Sequence, residues 1–394
     1  MKKILILGAT KDQIPVIVRA KERGFFVIVC TYNSEESGIG LADEFHHIST
    51  TDREAVLSLA KKRDVDIVLA YASDAAGPTA AYVSEEMGLP GNPYDTVKMM
   101  TDKYLFRSFL RENESFTPEF IKFTESEIHS DIAVDLEFPL IIKPVDSSGG
   151  RGVKRVEKSE DLLTAAQEAL SYSFSRTIIA EEIVETEFPQ VHGNGFVVNG
   201  ELVFSNLGDH MFRASDGTVP VATLWPGSLP EHYIRQIEEE VSRVIKKSGF
   251  LMGPVNIEAR ITKDKTVSII ELAPRSAGNF VSELILNGTG VDIVGNYLSL
   301  LEGKSVNIRS SKSECVAYYL LHSEKRGIFC TLDIDLSIQK YISDINMYVG
   351  KGDQVDSYQH MNNSIGIVLF KFDQIGDMQR VMKNMPDYLN IVVE

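Results

Sequence analysis

Two groups of residues in this chain have the types and spacing that chemistry needs. The first is Lys143-Pro144-Val145-Asp146-Ser147-Ser148-Gly149-Gly150-Arg151-Gly152-Val153. Successive small residues expose backbone N–H groups that can wrap an anion, and a lysine at the end of an entering strand adds a point charge for phosphates. The Gly-Lys-Ser/Thr element of a Walker A loop is missing. The second group is Asn256-Ile257-Glu258-Ala259-Arg260 and Ile269-Ile270-Glu271-Leu272-Ala273-Pro274-Arg275, joined by a turn at Lys263 to Lys265. Antiparallel pairing around that turn sets Glu258 opposite Glu271 with both carboxylates on one face. Like charges so placed call for a cation, and carboxylates with phosphate oxygens make a hard cage suited to Mg²⁺. Arg275 could then hold a phosphoryl oxygen in transfer.

The elements that must position these groups are read from apolar patterning. Near-continuous apolar runs at 3–7 (KILIL) and 25–30 (FFVIVC) flank a helix over 12–23. A helix at 54–63, a strand at 66–71 and a helix at 77–87 follow, which predicts a doubly wound domain over 1–95. Within it Gly8 is where a dinucleotide fingerprint would begin. The segment reads GATKDQIP, without the second and third glycines, so an ordinary strand-to-helix turn is expected.

A helical linker over 94–113 leads to a strand at 139–143, the glycine loop, a strand at 152–156 and a helix at 159–171, giving a small lid domain over 96–186. Strands at 177–181, 192–198, 201–207, 254–261 and 266–272 predict a mostly antiparallel sheet, its domain spanning 187–303. A last α+β segment, 304–394, carries strands at 315–322 and 364–370. The fold class is α/β combined with α+β.

Composition narrows the function. With 43% hydrophobic and 24% charged residues the chain reads as an ordinary globular protein, and no apolar run reaches the roughly 20 residues of a membrane span. A net charge of -16 would repel a phosphate backbone, so a nucleic-acid partner is not expected. Cys30, Cys315 and Cys330 lie too far apart for a metal-ligand spacing or a disulfide framework. The opening MKKILILGAT looks like a secretory signal, but its apolar run stops at Gly8 and charged Lys11 and Asp12 follow; a buried first strand and a cytoplasmic protein are expected.

The order of the pieces resembles the ATP-grasp superfamily over about residues 1–300: Lys103 in TDKYLFRSFL, Lys143 with SSGGRGV, Glu181-Glu182-Ile183-Val184 followed by Glu187, then Glu258, Glu271 and Arg275. The resemblance implies an ATP-grasp fold with an N-terminal pre-ATP-grasp domain, and an enzyme that phosphorylates a carboxylate with ATP and passes the acyl group to an amine, releasing ADP and phosphate. It implies that Lys103 and Lys143 contact phosphates and that Ser148, Gly149 and Gly150 form a mobile lid over them. By the same likeness Glu181 and the backbone of Glu182 and Val184 hold adenine, and Glu187 binds the ribose. Glu258 and Glu271 ligate Mg²⁺ or Mn²⁺, and Arg275 stabilises the phosphoryl group. Ser276, Ala277, Gly278 and Asn279 line the substrate pocket. A homodimer is also a family expectation.

One position departs from the pattern. The family often carries Glu-x-Asn on its second metal strand, whereas this chain has Ala273 in ELAPR. That run is similar to carboxyaminoimidazole ribonucleotide synthetase, which supplies an alternative reaction. The following SAGNFVSELILNGTG, together with the segments Gly350 to Val355 and Ile365 to Phe370, looks closer to L-amino acid ligases and carbamoyl-phosphate-synthase-like proteins. A nucleotide sensor without chemistry is the reading from another class, and the retained lysines and glutamates speak against it.

Further substrate contacts are expected from Ser73 and Asp74, at the C-terminal end of a strand where open sheets bind ligands. His210 and Arg213 in GDHMFRASDG are expected on a loop facing the acyl acceptor. His46 and His47 are read as structural.

Overall fold

The computed structural model describes residues 1–394 except 130, 131, 133, 134 and 214–216. The apolar runs at the start of the chain form a parallel sheet of order β3-β2-β1-β4, made of β1 (Lys3–Leu7), β2 (Phe26–Thr31), β3 (Glu44–His47) and β4 (Ile67–Leu69). Ile4 to Leu7 and Val27 to Cys30 are buried on both faces, as expected of strands covered by helices. Those helices are α1 (Ile14–Glu22), α2 (Arg53–Arg63) and α3 (Gly77–Met87).

Two helices, α4 (Tyr94–Thr101) and α5 (Lys103–Glu112), carry the chain to the next layer. Asp102 caps α5 by accepting from the Leu105 amide at 2.9 Å, which fixes Lys103 as its first helical residue. An antiparallel sheet of order β5-β8-β6-β7 follows, from β5 (Phe120–Thr124), β6 (Leu140–Pro144), β7 (Lys154–Val156) and β8 (Thr177–Glu182). Helix α6 (Leu162–Ser171) packs on it through Leu162, Ala165, Ala166, Ala169 and Leu170.

The largest sheet has eight strands in the order β13-β12-β9-β10-β11-β14-β18-β16. They are β9 (Gln190–Val198), β10 (Glu201–Phe212), β11 (Pro220–Trp225), β12 (Met252–Ile261), β13 (Val267–Ala273), β14 (Cys315–Leu321), β16 (Ile342–Met347) and β18 (Gly366–Phe372). Hydrogen bonding runs from β11 directly to β14, so the segment after residue 304 shares this sheet with the segment before it. A small sheet of β15 (Gly327–Ile334), β17 (Gln354–Val355) and β19 (Leu389–Val393) finishes the chain.

Helix α7 (Glu231–Ser248) buries Ile237, Val241, Val244 and Ile245, a 3.6-residue stripe laid on the same core as β9, β12 and β13. Helices α8 (Val281–Thr289) and α9 (Ile293–Leu301) are joined at a bend of 105°. Among the described residues no single helix is long and apolar enough to cross a membrane.

Candidate active site

A cavity of about 1070 Å³ opens between the three larger sheets, lined by both chemical groups singled out above. Lys143 is the penultimate residue of β6 and its ammonium lies 2.5 Å from the Glu181 carboxylate on the adjacent β8. Glu181 also accepts from Arg107 Nε at 2.9 Å, and Arg107 donates onward to the carbonyls of Ile269 and Ile270 at 3.1 and 2.9 Å. Burial works against the Glu181 charge, but Arg107 and then Lys143 outweigh it and hold the carboxyl down at about 2. Burial brings Lys143 down to about 8 despite Glu181, with Arg107 and Lys103 pressing the same way.

The loop from Val145 to Val153 turns over this pair. Gly149 and Gly150 hold φ of 67° and 78°, a left-handed backbone that other residues adopt only at a cost. Lys103 donates through Nζ to the Ser147 carbonyl. Lys103, Lys143, Ser148, Gly149 and Gly150 therefore share one wall.

A second stretch of the lining is β12 and β13. Their register pairs Glu258 with Glu271, as expected from the turn between them. Alternation on β12 turns Asn256, Glu258 and Arg260 to the cavity, while Ile257, Ala259 and Ile261 are buried in the core behind. Glu258 accepts from Gln190 Nε2 at 2.7 Å, and Glu271 accepts from Asn256 Nδ2 at 3.2 Å. Burial first, and then Glu271, lifts Glu258 to about 8. Two facing carboxylates, one of them uncomfortable as an anion, fit a divalent cation. Among the described residues no three His, Cys, Asp or Glu side chains gather as a metal site, and Glu258 and Glu271 are the pair that could contribute to one here.

Arg275 lies 3.5 Å from Glu271 and is held from the far side by Asp74, whose oxygens accept from Nε and Nη2 at 2.8 Å each. Burial would raise Asp74, but the guanidinium outweighs it and keeps the carboxyl below its usual range. The position expected to read substrate thus orients Arg275. Ser73 stays on the wall, its Oγ accepting from Ala76 N at 3.3 Å.

Residues missed in the sequence connect these groups. Arg260 donates to the Val184 carbonyl at 3.2 Å and to Gln190 Oε1 at 2.8 Å, so a chain of side chains runs from Val184 to Glu258. Period-two polarity along β12 signals Arg260; nothing local signals Arg107, which is 2% exposed on an otherwise ordinary helix. The ring of His192 stacks on His210 with centroids 4.4 Å apart, and its nitrogens meet Thr223 Oγ1 at 3.0 Å and Asn256 Oδ1 at 3.1 Å.

Several expected positions fall elsewhere. His210 is on the wall 4.0 Å from Glu258, but it sits inside β10 and not on a loop, because β10 is hydrogen-bonded on one side to β9 and on the other to β11 through His210 itself. Burial keeps His210 neutral. Arg213 leaves the cavity wall: it donates to the Tyr358 carbonyl and lies 3.7 Å from Glu324. Ala214, Ser215 and Asp216 of that segment lie outside the described residues. Glu187 is also off the wall, exposed and paired with Lys265. Ser276 is fully buried, bonded to Asn194 and Ser282 at 3.0 and 3.1 Å, whereas Ala277, Gly278 and Asn279 face the cavity. Glu181, Glu182 and Val184 do line it; the Glu182 amide is taken by the Glu119 carbonyl at 3.0 Å.

Residues 136–283 match the model of the ATP-grasp domain. The L-amino acid ligase of Bacillus licheniformis superposes with a TM-score of 0.83 at 20% identity, over 100% of this chain and 99% of that one. N5-carboxyaminoimidazole synthetase of Staphylococcus aureus, solved with ADP, gives a TM-score of 0.74 at 16% identity over 97% and 96%. The carbamoyl phosphate synthase large chain of Thermoanaerobacter pseudethanolicus is 23% identical over 298 residues, which is 74% of this chain and 27% of that one. At these identities the likeness is one of fold.

Proposed function

We propose that this chain, which carries an ATP-grasp domain, is an ADP-forming ligase that joins a carboxylate to an amine. One observation carries the reading: the lysines with the glycine loop, and Glu258, Glu271 and Arg275, drawn from different sheets, line a single cavity. That arrangement suits in-line phosphoryl transfer, in which positioning and charge neutralisation do most of the work.

Lys143 and Lys103 bind the phosphates of ATP, and the Ser148, Gly149 and Gly150 amides cover them. Glu181 keeps Lys143 aimed, while the segment Glu182 to Val184 borders the adenine. Glu258 and Glu271 would hold Mg²⁺, which would supply charge neutralisation at the phosphate oxygens. Arg275, held by Asp74, meets the phosphoryl oxygens as the substrate carboxylate attacks the γ-phosphorus. The product is an acyl phosphate and ADP. The loop excludes water while the amine attacks the acyl carbon and phosphate leaves. Net transfer is one amide bond formed for one phosphoanhydride broken. A cytoplasmic location and a homodimer are part of the same proposal.

The ribonucleotide alternative keeps the Ala273-Pro274-Arg275 run in its favour. Against it stands the turn after β1, where Glu36 accepts from the Ala9 amide at 2.6 Å and from Thr31 Oγ1 at 2.9 Å. The chain's own carboxylate occupies the amide that this strand-to-helix turn would otherwise offer to a phosphate. Mass spectrometry of reactions with Mg-ATP and paired amino acids, beside one with aminoimidazole ribonucleotide and bicarbonate, tests the proposal. A dehydrated conjugate of two amino acids supports it; product only in the ribonucleotide reaction replaces it with the alternative.

A further inference from the structure

The cavity has another wall that the reaction above leaves unused. It joins three distant stretches: the turn after β1 with Lys11 and Asp12, the turn before α8 with Gly278 and Asn279, and Tyr348 just past β16. Lys11 Nζ lies 3.4 Å from the centre of the Tyr348 ring. Asp12 spends one oxygen on the Asn279 amide at 2.9 Å. Neither side chain has an ion-pair partner among the described residues, although they are adjacent in sequence and both line the cavity.

The surroundings keep this corner open and shaped. At Gly278 a Cβ would stand 3.0 Å from Asp12 Oδ1 and 3.5 Å from Oδ2, so only glycine leaves the carboxylate accessible from that side. Asn279 and Phe280 both hold left-handed φ, 55° and 57°. Consecutive non-glycine residues in that region cost on the order of 1–3 kcal/mol each and persist where a site requires them. The Tyr348 hydroxyl is enclosed with no partner among the described residues, and Asp12 is close enough to bear on the Tyr348 and Tyr318 hydroxyls electrostatically. Burial also depresses the Lys11 ammonium, against the pull of Asp12.

A cation and an anion one residue apart, partly desolvated and not paired with each other, complement a ligand that carries both charges on one carbon. We propose that Lys11 and Asp12 form the binding site for a zwitterionic α-amino acid, Lys11 taking the α-carboxylate and Asp12 the α-ammonium. Asp12 lies against Gly278 and Asn279 and lines the same cavity as Arg275, and within the ligase reading this amino acid is the amine acceptor. That last assignment rests on the ligase reading; the binding site itself does not.

The test is thermal unfolding of the whole chain with each of the twenty protein L-amino acids, and with the amide and the deaminated acid of every one that stabilises it. The expected result is stabilisation by at least one amino acid, little by its two analogues, and affinity weakened about tenfold or more in Asp12→Asn and in Lys11→Met, from loss of a charge-assisted hydrogen bond. Stabilisation by ATP should be unchanged in both variants, which shows that they fold. No amino acid binding to the wild type, or equal binding by the variants, overturns the inference. Amino acid binding with no ADP release under any pairing would leave the site standing and overturn the ligase reading instead.

Discussion

Asp74 and Arg275, 201 residues apart in the chain, meet through two hydrogen bonds of 2.8 Å each. The carboxylate comes from the loop after β4 and the guanidinium from two residues past β13, so this contact ties the N-terminal sheet to the strand that carries Glu271.

Asp74→Ala is therefore expected to act on catalysis and on stability together. Removing one partner of a buried pair costs about 3–5 kcal/mol, and a guanidinium free to swing away by about 1 Å costs roughly a hundredfold in turnover. Asp74→Glu should recover part of both. Urea unfolding and ADP release, measured side by side, check the expectation; full turnover in Asp74→Ala would show that Arg275 is placed by something else.

Nucleotide binding should draw in a proton above pH 8. Lys143 titrates at about 8 in the free protein because burial disfavours its charge. Triphosphate oxygens favour the charged form, so its pKa rises on binding and affinity falls as pH climbs past 8. Calorimetry in two buffers of different ionisation enthalpy at pH 8.5 reads the uptake. Lys143→Arg, always charged, should abolish it while keeping the affinity within reach.

Glu187→Ala should leave the KM for ATP within about twofold, the range of surface substitutions. Its carboxylate pairs with Lys265 outside the cavity wall, so no nucleotide contact is lost. A large rise in KM would mean that the segment after β8 rearranges to bring it inward.

Gly150→Ala should slow turnover without a steric cause. Nothing lies within 4 Å of the added methyl, but a φ of +78° costs a non-glycine residue about 1–2 kcal/mol. The loop then favours another backbone over the one proposed to cover the phosphates. Unchanged kinetics would reduce it to a plain hairpin.

How far the sequence speaks depends on the range of the interaction. Glu258 facing Glu271 is legible because a short turn and period-two polarity set the register locally. The loop after Lys143 is legible because successive glycines have few other uses between strands. The partner of Arg275 is not, since Asp74 and Arg275 share no local pattern. Arg107 hides for the same reason: its three acceptors come from β8 and β13. His210 reads as loop because Gly208, Asp209 and Ser215 surround it, yet pairing with β9 and β11 overrides local preference. Glu187 rests on family spacing alone, and spacing does not say which way a side chain points from the segment after β8.

The most direct measurement is ADP release from Mg-ATP by the wild type and by Glu271→Ala, each given amino acids singly and in pairs. For a ligase of this kind, release needs a carboxylate and an amine together in the wild type and is absent in Glu271→Ala despite an intact fold by circular dichroism. Undiminished release in that variant, or release indifferent to the amine, would contradict the ligase reading.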